Sequence, residues 1–132
     1  MANALYDLGR ESFLKGEISW SGDNIKTVIV DSQEYTPNLA TDQFLSDVPA
    51  GGRVATSANL ATKTTTGGSG DAADVTYTAV TGDISEYLVI YQDTADATTS
   101  RLIALIDTAT GLPVTPNGGD ISILWPTPIF TL

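Results

Sequence analysis

The chain has 132 residues and contains neither histidine nor cysteine, so any chemistry it performs must rest on carboxylates, lysines or hydroxyls. The missing imidazole and thiol remove the usual general base near neutral pH, every Ser–His or Cys–His nucleophile pair, and the commonest zinc, copper and iron ligands. Ser12 and Lys15 match the pattern S-x-x-K, in which a lysine activates a serine. No S-D-N or K-T-G element accompanies the match, and Lys63 is followed by Thr64-Thr65, so a solvated helix face is the simpler reading. The pairs Asp71/Asp74 and Asp93/Asp96 do not follow the D-x-[DN]-x-[DN]-G-x5-E calcium loop. A glycosidase dyad is defined by separation in space, and Asp beside Gly usually marks a turn. Gly67-Gly68-Ser69-Gly70 lacks the lysine and the strand-to-helix context of a phosphate loop. The sequence thus predicts a protein that is no enzyme, with no metal and no cofactor.

Charge bounds the partners. Sixteen acidic and 6 basic residues give a net charge of −10. Arg10, Lys15, Lys26, Arg53, Lys63 and Arg101 are scattered along the chain, whereas phosphate contacts need clustered Lys and Arg. Nucleic acid and anionic membranes are therefore not expected partners. The acidity serves solubility, or marks an outer surface whose less acidic opposite face docks onto something else. The start, Met1 to Asp7, shows no basic n-region or apolar h-region, which predicts a product of a cytoplasm. The longest apolar run, Leu102 to Ile106, is strand-sized and far below the roughly 20 residues that span a bilayer.

These residues must be positioned by a mainly β framework. A length of 132 residues fits one domain, read as 1–132, with a helical arm at 1–16 and an extended C-terminal segment at 126–132. A helix is expected from Leu5 to Lys15, capped by Asn3, supported by the Glu11/Lys15 spacing and ended by Gly16. Its apolar residues spread around the axis, so it is either tucked under a sheet or an arm that needs a partner. Strands are expected at Ile18–Trp20 and Ile25–Val30, the second rich in β-branched residues. Thr41 could cap a helical turn over Asp42–Val48.

From Arg53 onward the pattern is β. Val54–Thr65 is rich in Thr and Ala, and Val75–Val80 alternates with period two. The continuous apolar runs Tyr87–Tyr91 and Leu102–Ile106 suit a central hairpin covered on both faces. Ile121–Trp125 forms a further strand, and Pro126 and Pro128 hold Ile129–Leu132 at an edge or along a surface. About seven short strands between frequent turns predict a single-domain β-sandwich or barrel with a short N-terminal helix.

Candidate functional residues are then the large apolar ones. Trp20, Tyr35, Trp125 and Phe130 are core residues or interface anchors. Leu132, beyond two prolines, is hard to place in a monomer's core, and Ile129–Leu132 could pair with a neighbour's sheet edge. With the arm residues, the candidate partner-binding set is Leu5, Tyr6, Phe13, Trp20, Trp125, Ile129, Phe130 and Leu132.

The opening M-A-N-A-L-Y-D-x-G-R-E-x-F-L-x-G-x-I-x-W, Met1 to Trp20, resembles a family of small virion structural proteins of tailed bacteriophages. The likeness continues in Ile25–Asp31, Tyr35–Thr41, Phe44–Asp47, Arg53–Ser57, Asp74–Val80 and Ile106–Asp120, so it covers nearly the whole chain. It departs at the end, where family members close on a more polar, lysine-containing stretch and this chain has Trp125-Pro126-Thr127-Pro128.

The resemblance carries no catalytic residues. It implies a capsid decoration or cement protein on the virion exterior, bound to the major capsid protein and to copies of itself, with a trimer one arrangement. A tail, head–tail joining or fibre-associated subunit is the second reading. A carbohydrate-binding host-attachment module, which a solvent-exposed Trp20 or Trp125 beside Asp and Asn would favour, is the third.

Overall fold

The computed structural model describes residues 3–132; Met1 and Ala2, the first residues of the expected arm, lie outside the described residues. The chain is mainly β, with nine short strands in antiparallel pairings among the described residues and one short N-terminal helix. Five strands build the main sheet: β1 (Ala4–Leu5), β2 (Ile25–Val30), β3 (Arg53–Thr56), β6 (Tyr87–Gln92) and β7 (Leu102–Ile106). Their order is β1-β7-β6-β2-β3. The remaining strands form two pairs, β4 (Ser69–Gly70) with β9 (Phe130–Thr131) and β5 (Val75–Tyr77) with β8 (Ile121–Ile123). The main sheet is open, with β1 and β3 at its edges, so the molecule is layered and not a closed barrel.

The period-two rule explains the layers. Ile25, Ile29, Leu88, Ile90, Ala104 and Ile106 project from one face and pack against Val75, Tyr77, Ile121 and Ile123 of the β5–β8 pair. Val28, Val30, Val89, Tyr91, Leu102 and Leu105 project from the other face, onto Tyr6, Tyr35, Leu45 and Val48. Burial on both faces accounts for the unbroken apolar runs of β6 and β7. In β7 the register shifts, with Ile90 opposite Ala104 and Tyr91 opposite Leu102, so Ile103 is an extra, bulged residue.

The helix, α1 (Asp7–Leu14), is shorter than expected and starts from Tyr6 without a side-chain cap. Asn3 is not its cap. Its side chain instead clamps the end of β7, accepting from the amides of Asp107 (2.8 Å) and Thr108 (2.9 Å) and donating to the Thr108 carbonyl. Backbone contact fixes the helix on the bulge: the Tyr6 amide donates to Ile103 O at 3.0 Å, and a Cβ on Gly9 would stand 2.5 Å from Leu102 O.

Three expected elements change. Ile18 and Trp20 are buried but form no strand. The Asp23 carboxylate accepts from the Ser19 amide and Ser19 Oγ from the Gly22 amide, which holds a turn where a ladder would run. The Asp42–Val48 turn shrinks to a 3₁₀ turn at Leu45–Asp47, with Asp47 accepting from the Gln43 and Phe44 amides; Thr41 caps nothing there. The Val75–Val80 alternation stops at Tyr77, because Ala79 takes a positive φ of 50° while Asp120 accepts from its amide.

Candidate interaction face

Where α1 ends, three aromatic rings from distant parts of the chain meet. Gly9 and Ser12 are the buried residues of α1, and Phe13, in its last turn, packs half-buried beside the C-terminal segment. Phe13 and Phe130 lie with ring centroids 6.2 Å apart, and Trp20 meets Phe130 edge-on at 5.0 Å. Gly70 makes this possible: the Phe130 ring occupies the space a Cβ would need. Phe130 and Thr131 face Gly70 and Ser69 in the β4–β9 register. The Ile129 amide donates to Gly70 O and the Leu132 amide to Gly68 O, at 3.1 and 3.0 Å.

An open groove of about 260 Å³ runs beside these rings, lined by Phe13, Trp20, Thr65, Phe130 and Leu132 with serines and glycines between them. Among the described residues no charged side chain lines it, although the chain carries 16 acidic and 6 basic residues. Depletion of charge around aromatic residues is what distinguishes the core of a protein interface from ordinary surface. Leu132 is 54% exposed, and Leu14, next to Phe13, is 85% exposed. A second hollow of about 330 Å³ lies on the other side of the segment, between β1 and Ile129–Thr131.

The expected partner residues divide accordingly. Leu5, Tyr6, Trp20, Trp125 and Ile129 are buried within the chain, where the two sheet faces already cover them. Of these five, Trp20 keeps an edge on the groove. Phe13, Phe130 and Leu132 do come together there. The C-terminal segment finds its sheet edge within its own chain, at β4. Gly70 and Leu14 were not among the expected residues; a single glycine in a Gly-rich loop carries no sequence signal of the ring above it.

Both tryptophans turn inward. The Trp20 indole donates to Asp71 O at 3.2 Å and the Trp125 indole to Ala73 O at 2.9 Å, while Asp74 accepts from the Trp125 amide. Neither tryptophan is solvent-exposed, the feature that would favour a carbohydrate-binding surface.

The chemical candidates are dispersed in structural roles. Ser12 is buried against the sheet, and Lys15 is exposed and paired with Glu11 at 2.7 Å. That hydrogen bond raises the Lys15 pKa, which works against a role as base. Asp71 accepts from the Ala72 amide. Asp93 pairs with Lys26 at 3.2 Å, and Thr98 holds the Asp96 carboxyl below its ordinary range through two hydrogen bonds. Among the described residues no three acidic groups gather into a metal site.

Two arrangements were not legible beforehand. Lys63 donates to Asp23 O and Arg101 pairs with Glu17 at 3.2 Å, so two cations far apart in sequence fasten one loop, 17–24, to the irregular segment after β3 and to the start of β7. Beneath the opposite face, Tyr6, Tyr35 and Asp42 form a hydrogen-bonded relay. Compared with models of known protein families and with curated proteins, the chain matches none.

Proposed function

We propose that the chain is a non-enzymatic structural subunit of a tailed-phage virion, and specifically a decoration protein that binds the major capsid protein lattice from outside. The observation that carries this reading is the uncharged aromatic groove at Phe13, Phe130 and Leu132 on an otherwise strongly acidic molecule. Such a surface suits one docked face and one solvated face. The family resemblance, which covers nearly the whole chain and departs at its end, supports the particle, and the dispersal of Ser12, Lys15 and the acidic pairs into structural bonds fits a protein that works by adhesion.

Binding only the assembled lattice would stabilise that lattice by linkage. Its location and stoichiometry in intact particles test the reading. A decoration protein is expected on the shell at hundreds of copies. Copies confined to a ring of about six or twelve would assign it to the tail or connector instead, and absence from the particle would overturn the reading altogether.

A further inference from the structure

We propose that Asn117 is a covalent modification site, at which the Gly118 amide converts the asparagine to aspartate and isoaspartate whenever the turn around it opens. The inference rests on the pairing of this turn with Val80 and does not depend on which particle the chain serves.

Asn117-Gly118 is the chain's only Asn-Gly pair. The turn itself requires the glycine, because residue 118 has a φ of 86°, which side chains rarely adopt. That requirement sets an unhindered backbone nitrogen next to an asparagine carboxamide. Both residues are exposed, so water reaches them. In the reaction the Gly118 nitrogen gives its proton to solvent and attacks Cγ of Asn117. A C–N bond forms, the Cγ–Nδ2 bond breaks and ammonia leaves, which closes a succinimide ring. Water then opens the ring. Cleavage at Cγ yields aspartate, and cleavage at the main-chain carbonyl yields isoaspartate, whose backbone runs through Cβ and Cγ.

The fold holds the nucleophile back. The Gly118 amide donates to Val80 O at 2.7 Å, and the Val80 amide donates to Gly119 O at 3.0 Å. The carboxamide is held as well, since Asn117 Oδ1 accepts from the Gly119 amide at 3.0 Å. Val80 is buried, and the Ala79 amide before it donates to Asp120 at 3.0 Å. Attack requires the Gly118–Val80 bond to break, because an amide that donates to a carbonyl keeps its proton. Reaction in the folded chain therefore runs through the open fraction of the turn, as hydrogen exchange does. The turn lies just past the Tyr77–Ile121 pair that ends the short β5–β8 ladder, and ends open more readily than centres.

The product records each opening. Isoaspartate lengthens the backbone just ahead of Gly118 and moves the carbonyl that held the Gly119 amide into the main chain. Either product adds a negative charge close to Asp120.

The test incubates the full-length chain at neutral pH, folded and in concentrated urea. Conversion at each asparagine is followed by peptide mass spectrometry, and isoaspartate by labelling with isoaspartyl methyltransferase. In urea, Asn117 should convert faster than Asn24, Asn38 and Asn59, which precede bulky residues. In the folded chain its rate should be lower by about ten-fold or more, the factor that one or two hydrogen bonds supply. Asp120→Ala frees the Ala79 amide at an exposed position and should raise the folded rate several-fold, with circular dichroism unchanged and the rate in urea unaltered. Equal rates in the folded chain and in urea overturn the proposal. An Asn117 no faster than the other asparagines in urea overturns it too, as does a folded Asp120→Ala chain that converts no faster than the parent.

Discussion

The hydroxyls of Tyr6 and Tyr35 lie 2.8 Å apart, both beneath the sheet face opposite the β5–β8 pair. Tyr35 in turn donates to Asp42 at 2.7 Å, whose carboxylate also accepts from the Asn38 amide. The relay ties the root of α1 to the 35–42 loop. Tyr35→Phe would leave the fully buried Tyr6 hydroxyl without its partner, and an orphaned buried hydroxyl costs about 1–3 kcal/mol. Chemical denaturation should show stability falling by that amount, with the midpoint lowered at unchanged slope. A stability equal to the parent's would remove the relay from what holds the helix.

Alkaline pH should unfold the chain before most domains of its size. Burial raises the pKa of Tyr6, Tyr35, Tyr77 and Tyr91; at Tyr35 the neighbouring Tyr6 and Asp42 add to the effect, and at Tyr6 Asp42 and Asp47 add to it while the hydrogen bond with Tyr35 works against it. A folded-state pKa above the unfolded value means that the unfolded chain releases protons first. Stability is therefore intact below the ordinary tyrosine pKa of about 10 and falls as pH rises above it. Circular dichroism and tyrosinate absorbance should change together in one cooperative step. Tyrosinate forming at these four positions with the fold intact would contradict the assignment.

Gly9→Ala sets two effects against each other. Alanine is the better helix former by about 1 kcal/mol. Its methyl, however, would sit 2.5 Å from Leu102 O and 3.2 Å from the Ile103 Cα, both backbone atoms of the bulge. Overpacking of this kind costs about 1–3 kcal/mol, and rigid backbone places it at the upper end. Thermal melting should show net destabilisation.

Leu14 and Leu132 allow association to be separated from folding. Both are largely exposed, so Leu14→Ser and Leu132→Ser should change stability by no more than about 0.5 kcal/mol. If this face docks on a partner, the double variant should bind purified capsid shells at least several-fold more weakly at equal stability. Unchanged binding would move the docking face elsewhere on the molecule.

The sheet centre was legible in the sequence because two-sided burial leaves a direct trace. Ile25–Val30, Tyr87–Tyr91 and Leu102–Ile106 are runs that water would not tolerate on either face. Ile18–Trp20 was not legible, since buried side chains look alike in a strand and in a tight turn. The Ser19–Asp23 bonds decide between them, and they depend on a geometry that sequence does not contain. Asn3 illustrates the same limit. A residue just before a helix reads as its cap, and only tertiary pairing brings it beside residues more than a hundred positions away. The site was half legible: large apolar residues near the ends were singled out, but burial separated Phe13, Phe130 and Leu132 from the others.

The inward clamp of the two indoles has an optical consequence. Trp20 and Trp125 are the chain's only tryptophans, and both donate to carbonyls within the short stretch from Asp71 to Ala73. Intrinsic fluorescence therefore samples a single corner of the molecule and not its average. Because the Phe130 ring rests against Trp20, lifting the tail would change the polarity around one emitter and leave the other as an internal reference. The unlabelled chain carries its own gauge of whether that tail is seated.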